Sequence, residues 1–437
     1  MEPANVPPLP GGRRAAEQRL AAIDPRAYGA TRNHLDGAVT RLSPYIRHGV
    51  LTLAEVREAV FAWLRARGYG QPERQAEGRR IAGKLINELG WRDYWQRLWL
   101  LLGDGIWSDL EPLKTGHHPA SYAPDLPTDV AAASTGLACI DAFATELMAT
   151  GWLHNHARMW LASYLVHWRR VRWQAGAAWF LQHLLDGDPA SNNLSWQWLA
   201  SSFSSKPYIF NRDNLERYSG GRYCRHCPRA GRDCPFEAPY EELQARLFRP
   251  VMVQDSSRFG APTDAEPQRI TPCAAPCAAP PHRPLVWVHG EALGPANPAL
   301  KAHPTAPALF VFDAELIAGR TSTTGGEPLA PGRLRFLRAC LAELPVAVGE
   351  GDVAAELLAA AAAAGSDGIV TSRAVDPRFA AIARQVAGAL PLQVLEPDPF
   401  VDLPLDGAGA PDLRRFSRYW RRVEPLVWAG FSRSGQG

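Results

Sequence analysis

The periodicity of the chain changes once, near residue 284, and this constrains the fold more than any other feature. Before residue 250, apolar side chains recur at the spacing of one helix face. Trp91, Trp95 and Trp99 stand four apart, as do His156, Trp160, Tyr164 and Trp168. Beyond residue 284 come short apolar runs, PLVWVHG, ALFVFD, VAVGEG and GIVTS, separated by helical stretches such as PGRLRFLRACLAEL. Buried runs of strand length alternating with helices predict a mostly parallel sheet. The expected fold class is α plus α/β. An all-helical domain covers residues 1–255, a Pro/Ala-rich linker 256–283 and a smaller α/β domain 284–437.

Composition says less about function. A chain of 437 residues is long enough for two domains with separate cores. The net charge is +3, with the arginine excess in the helical half. That permits contact with phosphates without requiring it. No apolar run reaches membrane-spanning length, so no membrane partner is expected. The polar start MEPANVPPLPGGRR lacks a signal-peptide core, and a cytoplasmic location is the expectation. Twelve of the 15 tryptophans lie before residue 250, and most should fill a core. No GxGxxG follows the first strand-like run, so the usual dinucleotide fingerprint is absent.

Three groups of residues could carry chemistry. Thr40, Leu42 and Ser43 precede a helix, where hydroxyls and free N–H groups either cap the helix or hold a phosphate. Asp186 and Asp188 stand two apart, which suits a metal or acid–base site, or a solvated loop that caps a helix. Seven cysteines, an odd number, argue against a disulfide framework. Cys224, Cys227 and Cys234 have the spacing of metal ligands, with His226, Cys139, Cys273 or Cys277 as a fourth. They read either as free thiols or as ligands to zinc or an iron–sulfur cluster, and no metal is assigned.

Four segments resemble the photolyase/cryptochrome family. They are TRLSPYIRHGVLTLAEV (40–56), NELGWRDYW (87–95), GWLHNHARMWLASYLVHW (151–168) and WFLQHLLDGDPASNNLSWQWLAS (179–201). The last is the most specific, through its DGD-x-x-x-NN-x-x-WQW order. The resemblance spans roughly residues 20–220 and implies an FAD-binding domain. More weakly, NPAL, FVFD, PGRLRFL and RRFSRYWRR resemble the α/β domain that photolyases carry first. That implies circular permutation, which is tolerable where termini lie close together.

By this resemblance, Val39, Thr40, Arg41, Leu42 and Ser43 form the flavin-phosphate loop, and Tyr28 packs beside it. Asp186 pairs with Arg158, Asp188 accepts from the flavin ring, and Asn192 faces its N5. Glu88, Arg92 and Asn155 complete the contacts shared between cofactor and substrate. Arg32, Trp91, Arg92, Met159 and Trp198 line a pocket for a flipped lesion, together with Glu88 and Asn155. Asn155 and Met159 stand where the branch acting on (6-4) products has histidines, which favours cyclobutane dimers. His156 departs from the arginine of many members. Trp196 and Trp173 match the inner electron-transfer tryptophans. The third is missing, since the chain reads HPASYAP there, leaving Tyr122, Trp107 or Trp168 to replace it.

The function implied is blue-light repair of cyclobutane pyrimidine dimers in damaged DNA. Alternatives are a cryptochrome-like light sensor without repair and an FAD-binding relic with a structural role. An antenna chromophore, folate or deazaflavin, is implied without a readable site, and no protein partner is implied.

Overall fold

The computed structural model describes residues 8–250, 280–404 and 409–433. The expected linker therefore lies outside the described residues up to residue 279. The helical half runs α1 (Arg13–Ala21), α2 (Pro25–Thr31), α3 (Ser43–Arg47), α4 (Leu53–Arg65), α5 (Gln75–Leu102), α6 (Thr128–Ala131), α7 (Ala138–Thr150), α8 (Asn155–Ser163), α9 (Trp173–His183), α10 (Pro189–Ala200), α11 (Arg212–Ser219) and α12 (Tyr240–Leu247). The second half holds β1 (Pro284–Val288), α13 (Pro298–Ala302), β2 (Ala308–Asp313), α14 (Ala314–Ile317), α15 (Pro331–Leu341), β3 (Ala347–Gly351), α16 (Val353–Ala364), β4 (Gly368–Ser372), α17 (Pro377–Ala387), β5 (Leu392–Leu395) and α18 (Phe416–Arg433). Among the described residues, no helix is long and apolar enough to cross a membrane.

Local chemistry explains where the helices nearest the site begin. Asp24 accepts from the backbone N–H groups of Arg26 and Ala27, with Pro25 opening α2. Thr52 and Glu55 close a reciprocal capping box on α4. Asp188 caps α10 by accepting from Ser191 N–H, again with a proline at the first position. The helix-period stretch from His156 to Trp168 is not one α-helix. α8 ends at Ser163 and continues as a π-helical turn over Tyr164–Trp168.

The five strands are parallel, in the order β3-β2-β1-β4-β5. Alternate residues of β1 and β2 face opposite layers, as a pleated strand requires. Leu285, Trp287, Leu309 and Val311 pack under α16 and α17 with Leu357 and Phe379. Val286, Val288, Phe310 and Phe312 face the other way, into a cluster with Phe336 of α15. That cluster continues through Tyr45, Phe61 and Leu85 of the helical half. One core thus joins the sheet to the helices.

The C-terminal helix α18 sits on the helical body rather than on the sheet. Phe431 and Trp428 pack on Phe61, with ring centroids 5.2 and 5.3 Å apart. Trp420 lies on Gly90 of α5, where an added Cβ would come within 2.1 Å of the indole. The bare glycine is what lets the two helices meet.

Candidate functional site

The turn Asp186-Gly187-Asp188, at the head of α10, is anchored by side chains from distant parts of the sequence. The Gly187 carbonyl accepts from Arg47 Nε at 3.2 Å and from Arg333 Nη2, of α15, at 3.2 Å. Arg47 also pairs with Glu291 at 2.6 Å. Helix and sheet halves therefore hold this turn jointly.

Asp188 is 1% exposed. Its Oδ2 accepts from Arg92 Nη2 at 2.9 Å and Gln96 Nε2 at 2.8 Å, and its Oδ1 from Ser191 N–H at 2.7 Å. Arg47 Nη1 stands 3.8 Å away. Burial alone would raise this carboxyl, but Arg92, Arg47 and the Ser191 N–H hold it below the usual carboxylate range. Both oxygens thus have donors within the protein, and Oδ1, with one donor, keeps a lone pair for the flavin-ring contact that the resemblance implies.

Asp186 is different. Its Oδ2 takes Arg158 Nη2 at 2.9 Å, while its buried Oδ1 has no hydrogen-bond partner among the described residues. A buried acceptor left unpaired is costly, so a donor from a bound group would be welcome there. Six residues on, Asn192 donates through Nδ2 to Ala177 O and Asn193 Oδ1, both at 3.0 Å. That leaves its Oδ1 as the available atom.

The loop Val39–Ser43 leads into α3, which has only five residues. Its helix dipole is short, so any hold on a phosphate must come mainly from hydroxyls, backbone N–H groups and Arg41. Arg41 takes a left-handed φ of 52°, and its guanidinium lies 4.2 Å from the Trp152 ring centroid. Thr40 Oγ1 accepts from Leu42 N–H at 3.4 Å. Thr31 Oγ1 accepts from Ala38 N–H at 2.9 Å, which ties the loop to α2, the helix that carries Tyr28.

The expected lesion-pocket residues fall into groups. Arg32 and Glu88 form an ion pair at 2.5 Å. Burial raises the Glu88 carboxyl against the pull of Arg32. Asn155 Nδ2 lies 3.6 Å from Met159 Sδ on one face of α8. His156 Nδ1 is 2.5 Å from Asn33 O, which brings the head of α8 next to Arg32. His156 also stacks on Trp160 at 5.4 Å, and burial lowers its pKa, so it offers a phosphate no charge near neutral pH. Trp198 is 38% exposed. Phe416 of α18 stacks on Trp91 with centroids 3.6 Å apart and planes 9° apart, and Trp95 leans against it at 4.9 Å.

The aromatic relay is partly assembled. Trp196 is buried against Phe180, and its ring edge closes on Gly176, three residues along α9 from Trp173. Trp173 Nε1 donates to Asp109 Oδ1 at 2.6 Å. Trp107 lies parallel to Trp173, with centroids 6.4 Å apart and planes 9° apart, and it is half-buried. Tyr122 is buried and bonded to Thr115, while Trp168 packs on Phe210 and Phe236. Sequence reasoning missed Asp109, Gln96 and Phe416, because nothing in their immediate neighbours signals a partner so far along the chain.

A separate cavity opens at the carboxyl ends of β1, β2 and β4, lined by His289, Asp313, Asp376, Arg378, Arg47 and Arg333. Open parallel sheets bind ligands at this edge, where the strand order reverses.

Residues 85–225 match the sequence model of the FAD binding domain of DNA photolyase. The deoxyribodipyrimidine photo-lyase of Synechococcus sp. is 33% identical over 213 residues, 47% of this chain and 42% of that protein. The enzyme of that name from Streptomyces griseus is 34% identical over 165 residues, 38% of this chain and 32% of the other. Among solved structures, a Synechocystis cryptochrome is 24% identical, with a TM-score of 0.41 over 50% of this chain and 45% of that one. Over residues 85–225 the helical body is thus similar to the FAD binding domain of DNA photolyase, and the chain is similar to the photolyase/cryptochrome family through that part. The chain spans less than half the length of these relatives.

Proposed function

We propose that this protein uses blue light to split cyclobutane pyrimidine dimers in DNA. The observation that carries the reading is the unpaired, buried Asp186 Oδ1 beside Arg158, on the turn that also positions Asn192. A planar heterocycle with N–H donors would satisfy that oxygen and meet the Asn192 amide. FAD, when bound, supplies the light absorption and the electron that opens the cyclobutane ring. Tyr28 and the loop of Val39, Thr40, Arg41, Leu42 and Ser43 would hold its phosphates. Glu88, Arg92, Asn155 and Met159 would hold the polar edges of a flipped dimer. Trp198, exposed at the rim, would meet its apolar face. The permuted domain order remains part of this proposal, as does an antenna pigment, for which the sheet-edge cavity is the site of suitable chemistry.

The experiment is repair of an oligonucleotide containing one thymine dimer by the reduced protein, with and without blue light. Light-dependent loss of the dimer is expected. Equal dimer content in both arms, with FAD bound and reduced, sinks the repair reading. One observation favours the second reading, a light sensor that does not repair: Phe416 covers a face of Trp91 that a lesion would stack on.

Among the three replacements for the missing outer tryptophan, Trp107 is the one whose ring lies against Trp173. The Asp109 carboxylate on Trp173 Nε1 favours positive charge on that indole and offers a place for its proton. Trp107→Phe is expected to slow flavin photoreduction in the presence of a soluble reductant, whereas Tyr122→Phe and Trp168→Phe leave it near wild type. Repair by chemically reduced Trp107→Phe should be unchanged. Transient absorption of the three variants checks this, and an unaltered rate in Trp107→Phe removes it from the relay.

A further inference from the structure

The second half of the chain touches the outer end of the aromatic relay. Trp107 closes the 3-10 turn Gly103–Trp107 and packs against both large cores, the one shared with the sheet and the one around α7, α8 and α9. The loop that follows α14 reaches across to this turn. At one end of the turn, Ser322 Oγ donates to Asp104 Oδ1 at 2.8 Å. At the other end, Gly325 sits in a notch between the Trp107 ring and Ala178 of α9, the helix that carries Trp173. A Cβ added to Gly325 would lie 2.4 Å from Trp107 Cη2 and 2.8 Å from the Ala178 Cβ.

The loop is fastened at points away from the relay. The Thr323 hydroxyl donates to the Asp376 carboxylate, 3.1 and 3.2 Å from its two oxygens, and Asp376 is the buried cap of α17. Thr324, 1% exposed, donates through its hydroxyl to Thr321 O at 3.0 Å. Further along, Ala330 N–H donates to Gln182 O of α9 at 3.0 Å. Gly325 takes a left-handed φ of 67° where the short 3-10 turn Ser322–Thr324 ends, a conformation that strains any side chain. Two demands meet at this glycine: the turn needs its backbone freedom, and the Trp107 ring needs the space a Cβ would fill. The next residue, Gly326, has a φ of 93°, but an added Cβ there would meet nothing within 4 Å.

We propose that the loop 321–326 is a strap that positions Trp107 against Trp173, so that the α/β half takes part in the photoreduction relay. This rests on the relay reading given above. In that relay Trp107 gives one electron to a Trp173 indole that has already passed one toward Trp196. Trp107 then recovers one electron from the soluble reductant, so its indole ends unchanged and no bond forms or breaks there. The transfer depends on the spacing and overlap of two rings whose centroids stand 6.4 Å apart. Misplacing reacting groups by about 1 Å can cost on the order of 100-fold in rate. Gly325 and Thr323 act through Trp107 and are positioning residues.

The test uses the full chain labelled with fluorotryptophan, the Trp107 fluorine resonance being assigned by its loss in Trp107→Phe. Gly325→Ala is expected to shift that resonance in the dark and to slow photoreduction, per bound flavin, by about 10- to 100-fold. Gly326→Ala places a side chain at a positive φ without the collision and should leave both readouts near wild type. Thr323→Val releases the loop from Asp376 and should shift the resonance and slow photoreduction to a smaller extent. If Gly325→Ala does not fold, Thr323→Val decides by the same two readouts. An unshifted Trp107 resonance overturns the strap, as does a shifted one with photoreduction unchanged. Equal effects in the two glycine variants also overturn it, because backbone strain without contact would then suffice. Unaltered photoreduction in Trp107→Phe instead overturns the relay reading itself, whatever the resonance does.

Discussion

Asp188→Ala is expected to lose most of its bound FAD and a large part of its stability. The carboxylate is fully buried between Arg92 and Arg47; removing it takes away the ion-pair partner of Arg92, while Arg47 keeps Glu291. Breaking a buried ion pair by deleting one partner costs about 3–5 kcal/mol. Loss of the cap on α10 adds about 1 kcal/mol. Because α10 carries Asn192, Trp196 and Trp198, fraying at its head disturbs cofactor and substrate residues together. Asp188→Asn keeps an oxygen for the Ser191 N–H and should retain more helix, but it still leaves Arg92 without its counter-charge. The sign of the acid dependence follows from the depressed carboxyl. Its contribution is present above the ordinary aspartate value of about 3.9 and is lost as pH falls through the still lower value of the folded state. Asp188→Asn should therefore show a shallower loss of stability on the acid side. Thermal melts, flavin content and acid titration by circular dichroism check these outcomes. A variant with wild-type melting and full flavin would show that the network is dispensable.

The second large effect concerns Trp91 and Phe416. If Trp91 takes part in lesion binding, Trp91→Ala should weaken binding to dimer-containing DNA by about 1–3 kcal/mol, the range for base–aromatic stacking. Phe416→Ala should do the opposite. With Phe416 on one face and Trp95 leaning on the ring, a lesion reaches Trp91 only after Phe416 moves aside. Deleting that contact removes an aromatic pair worth about 0.5–1.5 kcal/mol and should tighten binding by up to that amount. Fluorescence anisotropy on matched damaged and undamaged oligonucleotides reads both variants. If neither changes the preference for damage, Trp91 serves to dock α18, and the sensor reading gains.

Chemistry between near neighbours was legible in the sequence. The change of periodicity at residue 284 separated helices from a parallel sheet, because burial on one helix face or on both sides of a strand imposes its own spacing. The order of residues in DGDPASNNLSWQW signalled the likeness to a flavin-binding domain, and Asp188 capping its own helix is a local event. Partnerships across long stretches of chain were not legible. Arg92 and Gln96 claim Asp188, Phe416 covers Trp91, Trp107 faces Trp173, and Cys139 joins Cys224, Cys227 and Cys234. Each depends on how distant elements dock, which is set by the shared core of α4, α5, α18 and the sheet and by single fits such as Trp420 on Gly90. Local spacing fixes which face an element buries, whereas only close packing of the assembled chain decides what that face meets.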